Sequence, residues 1–408
     1  MIRARSFSGV DRRIPQNLYL AAYLLFIIKY MCEASVIIPW QGIVDTIIII
    51  LFMCLLAAKL ALQSYTPAQL AGFTAAAVLC VYSSINAKFS SPMLSFFFLI
   101  TLQDVDLRRV LRAGYRLKAA FIIAHVVCYI ALMVISPGSI TYLYRGSVER
   151  HQFLFSHPNM FTAYVVWTCI EFIYVNYGRI RAVHLAPILL VNILFYIFTN
   201  SRTGLYIIII ITVLIAIEKS SARFSDAVLR PASRYVFGVC SALCYALTVV
   251  YSPVISGTAK DLWLKLNNLL TGRLVYGAYS YHYFGFTWLG RILHTPAKVY
   301  YNGHWLDGVI LDNSYQWLML VYGGVFLLLV SAAFFFAVRR MDNIERILVI
   351  AYAIYALMEN YTVNAAICFP LLLIGKSIFA RRLPDSGLSE EQEAHDGGGI
   401  PLWKRKSA

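Results

Sequence analysis

Residues whose side chains could do chemistry stand in short polar motifs beside long apolar runs. The motifs are His157-Pro-Asn159, Asn200-Ser-Arg-Thr-Gly204 and Leu311-Asp-Asn-Ser-Tyr-Gln-Trp317, with Glu359 at the end of a later apolar run. A carboxylate or an imidazole can accept a proton, and a guanidinium offers a planar fork of donors that suits phosphate oxygens. His157, Asn159, Arg202, Asp312 and Glu359 are therefore the first candidates for a functional site.

Each of these motifs also has a structural interpretation. Arg202 precedes the apolar stretch Leu205 to Ile217, and its guanidinium could extend toward lipid headgroups. Ser156 could cap a helix whose first turn contains Pro158. A carboxylate at a helix start, such as Asp312, is commonly only a cap for unpaired N–H groups. Taken singly, the motifs leave both interpretations open.

The longest segment between apolar runs, residues 252 to 313, is rich in Tyr, Trp, His, Gly and Arg. Aromatic faces stack on sugar rings, and Arg binds phosphate. The stretch from Thr271 to Arg291 combines both residue types and includes Arg273. The same composition would suit an amphipathic helix at a membrane interface. This loop is the predicted functional region, with the interfacial helix as the alternative.

The elements that must position these residues are predicted to be membrane-spanning helices. Of the 408 residues, 60% are hydrophobic and only 13% are charged, and the mean hydropathy is +0.68. These values exclude an ordinary soluble protein. We predict an all-α, polytopic transmembrane bundle of about twelve spans. The spans lie near residues 17–37, 43–62, 69–86, 89–103, 116–135, 158–177, 184–200, 203–218, 235–251, 314–337, 346–360 and 365–380.

The distribution of Lys and Arg predicts the orientation of these spans. Most of the 35 basic residues fall in segments that share one side if the amino terminus is cytoplasmic. The net charge of +15 then reflects topology and contact with anionic headgroups, so nucleic-acid binding is not needed to explain it. We predict a membrane domain over residues 1–382, with residues 252–313 as a large extracytoplasmic loop. Residues 383–408 are predicted to be a disordered cytoplasmic tail, which places both termini in the cytoplasm.

The eight cysteines all fall inside predicted spans, so no disulfide framework or zinc-binding spacing is expected. The apolar run after Arg13 contains Lys29 and Glu33 and has no convincing cleavage site. We interpret it as a retained first helix rather than a signal peptide.

In combination, the motifs resemble those of the Wzy-type O-antigen and capsular polysaccharide polymerases, which are related to the O-antigen ligases. The resemblance covers most of the chain, and it rests on the order and spacing of the motifs. Its parts are His157-Pro-Asn159, Ser201-Arg-Thr-Gly204, Leu270-Thr-Gly-Arg273 with the Tyr-rich stretch to Gly290, Asp312-Asn-Ser-Tyr315 before Tyr322-Gly-Gly324, and Glu359 before Asn364 and Phe369-Pro370.

The resemblance implies a GT-C-like fold and metal-independent glycosyl transfer on the outer face of the bacterial plasma membrane. The substrates would be two undecaprenyl-pyrophosphate-linked oligosaccharides, with the growing chain as donor, and a flippase and a chain-length regulator would be possible partners. No cofactor and no metal are expected.

Residue roles follow from that chemistry. Fixed guanidinium groups can stabilise the charge of a leaving pyrophosphate, which makes Arg202, Arg273 and Arg291 the expected binding residues. Asp312 or His304 is the expected general base. His157, Asn159, Tyr315 and Glu359 are expected to line the substrate pocket.

Two alternatives remain from the sequence. A glycan ligase would differ only in its acceptor. A flippase for the same lipid-linked sugars would not be an enzyme, but transporters commonly contain structural repeats and place charges near the bilayer midplane. Here the candidate residues are predicted to gather at one membrane face.

Overall fold

The computed structural model describes residues 13–40, 42–251, 258–270, 272–294, 298–301, 304–306 and 311–380, apart from the side chains of residues 182, 222, 258 and 304. The predicted tail, residues 383–408, lies outside this range. So do several short pieces of the predicted large loop.

The described chain is predominantly helical, in agreement with the predicted all-α class. Its first eight α-helices are α1 (Arg13–Ala34), α2 (Gly42–Ala61), α3 (Pro67–Ala87), α4 (Ser91–Ile100), α5 (Leu107–Ile135), α6 (Pro158–Asn176), α7 (Leu185–Thr199) and α8 (Arg202–Ser220). They are followed by α9 (Ala222–Phe224), α10 (Arg230–Val250), α11 (Thr258–Leu269), α12 (Arg273–Phe284), α13 (Ser314–Trp317), α14 (Gly324–Ala337), α15 (Asn343–Ala356) and α16 (Pro370–Phe379).

Shorter elements connect or extend these helices. Two π-helical segments, Ser225–Leu229 and Leu318–Tyr322, lead into α10 and out of α13. The 3₁₀ turns are Pro137–Ser139, Tyr177–Arg179, Ala182–His184, Val338–Arg340 and Tyr361–Val363. Strands β1 (Leu143–Arg145) and β2 (Val148–Arg150) pair as one antiparallel hairpin, and β3 (Val299–Tyr301) and β4 (His304–Leu306) pair as another.

Helices occur at all twelve predicted span positions, but only some of them are long and apolar enough to cross a membrane. In the described chain these are Arg13–Ala34, Gly42–Ala61, Pro67–Ala87, Leu107–Ile135, Arg202–Ser220 and Ser225–Val250. Three further apolar helices, α4, α7 and α16, are shorter. The structure thus supports a membrane protein with at least six candidate spans, and the count of twelve stays a prediction.

Two predicted elements differ from the structure. The span predicted at 314–337 is interrupted at Gly323, whose φ of 129° is open only to glycine and where a Cβ would lie 2.6 Å from the Trp288 carbonyl oxygen. The chain before Gly323 bends and contacts the loop that follows α12. The second difference is in the large loop, where the structure has helices α11 and α12. Only the interfacial-helix alternative includes a helix in this segment.

Helices α6 and α15 are enclosed by the rest of the bundle. α6 packs against α5, α7 and α8, whereas α15 packs against α8 and α10. The outer helices expose apolar residues such as Val134, Ile135 and Leu190, as expected for a fold whose solvent is lipid. Because α6 begins and α15 ends at the same end of the bundle, residues flanking these two buried helices have fixed positions there. We call this end the site end.

Candidate functional site

Arg273, the first residue of α12, lies between two carboxylates at the site end. Its Nη2 is 3.7 Å from Asp312 Oδ2 and 3.7 Å from Glu359 Oε1. The same nitrogen donates to the carbonyl of Met358. The Asp312 side chain is 40% exposed, whereas that of Glu359 is 4% exposed. Arg273 therefore joins one accessible carboxylate to one enclosed carboxylate.

A second arginine reaches Glu359 through an amide. Asn159 Nδ2 donates to Glu359 Oε1 over 3.3 Å, and Asn159 Oδ1 accepts from Arg150 Nη2 over 2.6 Å. The buried Arg150 also donates from Nε to the Thr199 carbonyl over 2.7 Å, which ties the β1–β2 hairpin to the end of α7. The contacts form one continuous path from the hairpin through α6 and the end of α15 to α12.

Two further arginines, Arg145 and Arg202, lie near this path. Arg145, on β1, donates from Nη1 to the Asn200 carbonyl over 3.4 Å. The pKa of Arg145 is lowered mainly by partial burial and, to a smaller extent, by repulsion from Arg202 and Arg273. Burial and repulsion from Arg145 lower the pKa of Arg150 to about 10. We call Arg145, Arg150, Arg202, Arg273, Asp312 and Glu359 the arginine–carboxylate cluster.

The cluster holds two more positive than negative charges when its carboxylates are ionised, so its guanidinium groups repel one another. Bound anionic oxygens would relieve that repulsion, and Arg donors suit phosphate in particular. Arg202 is exposed, and its side chain makes no hydrogen bond within the described part of the chain. It is therefore available to an incoming ligand.

Burial shifts the pKa of the Glu359 carboxyl group and the pKa of the His157 imidazole in opposite directions. Burial raises the pKa of Glu359, which lies beyond the last residue of α15, to about 7, although Arg273 opposes the shift. Burial, and then the charge of Arg150, lowers the pKa of His157, so its imidazole is neutral at pH 7. A neutral His157 is consistent with its Nδ1 accepting from the Asn159 backbone N–H over 3.1 Å.

Glycine allows two helices to approach closely enough to form the cluster. A Cβ on Gly204 would lie 2.3 Å from Thr162 Cγ2, so α8 contacts α6 directly at this position. That contact places the start of α8, with Arg202, beside the start of α6. A Cβ on Gly277 would similarly lie within 2.1 Å of the Gln316 amide, so α12 rests on α13. Both glycines belong to the motifs singled out in the sequence.

The structure decides against the capping alternative at both Asp312 and Ser156. Asn313, not Asp312, caps α13, because its Oδ1 accepts from the backbone N–H groups of Tyr315 and Gln316. The Asp312 carboxylate is left to face Arg273. For α6, the cap is His157 rather than Ser156.

Other predicted site residues lie elsewhere. Tyr315 is fully buried, and its hydroxyl donates to the Ala353 carbonyl over 3.0 Å, so it belongs to the core rather than to an open pocket. Arg291 donates from Nη2 to the Gly285 carbonyl over 2.6 Å, and no described contact joins it to the cluster. The prediction for the His304 side chain lies outside the described residues, although its backbone is in β4.

The sequence interpretation missed Arg145 and Arg150. Their signal was available, because both lie between the fifth and sixth predicted spans, in a loop predicted to be extracytoplasmic, where the positive-inside pattern does not account for a basic residue. Among the described residues, no group of three or more His, Cys, Asp or Glu side chains is arranged to hold a metal ion.

No family model, no curated protein and no solved structure matches this chain.

Proposed function

We propose that this protein is a membrane glycosyltransferase that polymerises oligosaccharide repeat units linked to undecaprenyl pyrophosphate. The single observation that carries the proposal is the arginine–carboxylate cluster. It combines four guanidinium groups with one accessible and one enclosed carboxylate at one end of a helical membrane bundle. A pyrophosphate-linked sugar needs such an arrangement, namely positive charge for the leaving group and a base for the attacking hydroxyl.

The arginines are assigned to the leaving group. As the bond between the sugar C1 and the pyrophosphate oxygen breaks, its electron pair stays with the pyrophosphate and negative charge develops there. Arg202 and Arg273 would bind those oxygens, and Arg145 would add positive charge at the rim. Fixed donors of this kind stabilise developing charge without reorganising during the reaction.

Asp312 is assigned as the general base. The acceptor hydroxyl transfers its proton to Asp312 while its oxygen forms the new bond to C1, so the growing chain moves from its lipid carrier to the terminal sugar of a new repeat unit. Asp312 suits this role better than Glu359, because a substrate can reach a side chain that is 40% exposed. Glu359, held by Asn159 and Arg273, is assigned to positioning Arg273.

The location of the cluster is part of the proposal. The positive-inside pattern supports a cytoplasmic location for both termini, and we propose that the site end lies on the outer face of a bacterial plasma membrane, where repeat units would arrive after flipping. A GT-C-like arrangement of about twelve spans is proposed with it.

Purified protein in nanodiscs, given the lipid-linked repeat unit extracted from the encoding organism, tests the proposal. A polymerase gives a ladder of products that differ by one repeat, separated by gel electrophoresis. Transfer of a single glycan to a different acceptor would indicate a ligase, and translocation without any new glycosidic bond would indicate a flippase. Either result would overturn the proposed function.

A further inference from the structure

A polar cavity of about 610 Å³ adjoins the arginine–carboxylate cluster but shares none of its side chains. This volume is within the range of small-molecule binding sites. The cavity lies among the end of α1, the start of α2, the loop before α4, the start of α6 and the segment after Glu359. We call it the α1–α6 cavity.

Two chain segments lie between the cavity and the cluster, and each has residues that face the cavity and a residue that contacts or belongs to the cluster. Ser156 and Met160 line the cavity, whereas Asn159 between them contacts Glu359. Asn360 and Tyr361 line the cavity directly after Glu359. A molecule bound in the cavity would therefore lie against the chain segments that hold Asn159 and Glu359.

The charges that line the cavity are balanced. Lys29 Nζ lies 2.7 Å from Glu33 Oε2 and 3.3 Å from Asp45 Oδ1, and the Lys29 side chain is almost fully enclosed. Lys88 supplies the second positive charge of the lining. Two cations and two carboxylates leave no excess charge, in contrast to the positive cluster next to it. The lining therefore favours a neutral ligand over an anionic one.

An unpartnered hydroxyl indicates that the ligand is polar. Tyr164 lines the cavity and is only 1% exposed, yet its Oη has no hydrogen-bond partner in the described structure. Buried hydroxyls are nearly always hydrogen-bonded, and leaving one unpaired is unfavourable. Because Oη is enclosed, a hydroxyl-bearing ligand would become its partner once the Tyr164 side chain turns toward the cavity.

The aromatic residues that line the cavity narrow the chemical class of the ligand further. Tyr30, Phe89, Trp317 and Tyr361 also face the cavity, with the amides of Asn360 and Asn364. Aromatic faces pack against the C–H faces of a sugar ring, while amides and carboxylates bind its hydroxyls. We propose that the α1–α6 cavity binds a neutral sugar residue of the lipid-linked oligosaccharide. This inference rests on the proposed function, and it adds a sugar subsite to that reaction.

Saturation-transfer NMR on the full chain in nanodiscs tests the inference independently of polymerisation. The probes are the methyl glycosides of glucose, galactose and N-acetylglucosamine, with methyl glucuronide as the anionic comparison and empty nanodiscs as the blank. We expect saturation transfer to at least one neutral glycoside and little to the glucuronide. Transfer to none of the neutral glycosides, or equal transfer in empty nanodiscs, would overturn the sugar subsite.

Two variants locate the binding. Ser90→Trp fills the cavity at an exposed residue whose side chain makes no cap hydrogen bond, and it should abolish the transfer. Tyr164→Phe removes only the unpartnered hydroxyl and should raise the KM for the lipid-linked repeat unit about tenfold with little change in kcat. Tyr251→Phe is the matched control, because Tyr251 also has a buried, unpartnered hydroxyl but lies outside the cavity. It should behave as the unmodified chain.

Each result bears on one of the two proposals. Glycoside binding that Ser90→Trp leaves intact would place the sugar elsewhere and overturn the subsite. Glycoside binding that Ser90→Trp abolishes, in a protein that makes no polymer, would retain the subsite and overturn the polymerase.

Discussion

Asn159 donates to Glu359 over 3.3 Å, although 200 positions separate the two residues in the sequence. This hydrogen bond links the start of α6 to the chain after α15. Arg150 binds the other side of the Asn159 amide, and Arg273 lies against the same Glu359 oxygen. Hydrogen bonds to charged groups contribute about 1.5–3 kcal/mol each, so loss of one member should disturb its neighbours.

Arg273→Lys should abolish most polymerisation while leaving the protein inserted in the membrane. A lysine ammonium cannot contact two carboxylates and a pyrophosphate with a planar fork of donors. We expect kcat to fall about 100-fold, with unextended lipid-linked repeat units accumulating in cells. The ladder assay on purified variant protein measures this effect.

Arg291→Lys is the matched control for that variant. Its guanidinium is bound to the Gly285 carbonyl and makes no described contact with the cluster, so its loss should lower kcat less than threefold. A normal ladder from Arg273→Lys together with a failed one from Arg291→Lys would place the pyrophosphate site in the loop after α12.

Asp312→Asn should remove the general base without affecting helix capping, because Asn313 supplies the α13 cap. We expect normal protein amounts, retained binding of the lipid-linked substrate, and a kcat reduced at least about 100-fold at every pH. Substrate binding and single-turnover transfer are measured separately. If His304→Gln stops transfer and Asp312→Asn does not, the base is His304.

Glu359 should give the protein a characteristic pH dependence. Burial raises its pKa from 4.5 to about 7, so the folded protein holds this proton more tightly than the unfolded chain does. The free energy of unfolding should therefore fall as pH rises from about 4.5 to about 7, by at most about 3 kcal/mol.

Activity should change in the opposite direction over the same range. Ionised Glu359 attracts and positions Arg273, so kcat should increase with a midpoint near pH 7. Glu359→Gln should flatten the stability profile and lower kcat at pH 8. Thermal unfolding in detergent and a pH–rate profile measure the two effects. A stability profile of Glu359→Gln that matches the unmodified chain would contradict the assignment.

Gly204→Ala should weaken both the fold and the activity, because the new methyl group would overlap Thr162 and push α8 away from α6. Overpacking of this kind costs about 1–3 kcal/mol. The control is Gly72→Ala in α3, where a Cβ meets no atom within 4 Å. It should be neutral or slightly stabilising, since alanine favours helix. Equal melting temperatures of the two variants would contradict the close α6–α8 contact.

The proposed orientation predicts which surface positions react from outside intact cells. Ser147→Cys, in the exposed turn between β1 and β2, should be labelled by an impermeant thiol reagent, whereas the exposed Ser221→Cys between α8 and α9 should not. Both changes are made in a background without the exposed Cys54 and Cys128. If only Ser221→Cys were labelled, the true orientation would be the reverse of the proposed one.

The sequence by itself determined the all-α class of the fold and the approximate positions of the apolar helices that the structure describes. Hydrophobicity and length are properties of contiguous residues, so they can be read without a structure. It also identified Arg202, Arg273, Asp312 and Glu359 as candidates, because charged residues beside apolar runs need a reason. It could not distinguish a cap from a catalytic group at Asp312, since both roles suit a carboxylate at a helix start.

Only the tertiary structure decided which candidates meet. It grouped Arg273 with Asp312 and Glu359, added Arg145 and Arg150 from a hairpin, and assigned Tyr315 to the core. These outcomes depend on packing between helices that are distant in sequence, as at Gly204 and Thr162, where the absence of a single Cβ sets the approach of α8 to α6. Such contacts leave no local pattern, because each partner is consistent with many neighbours until the whole bundle is assembled.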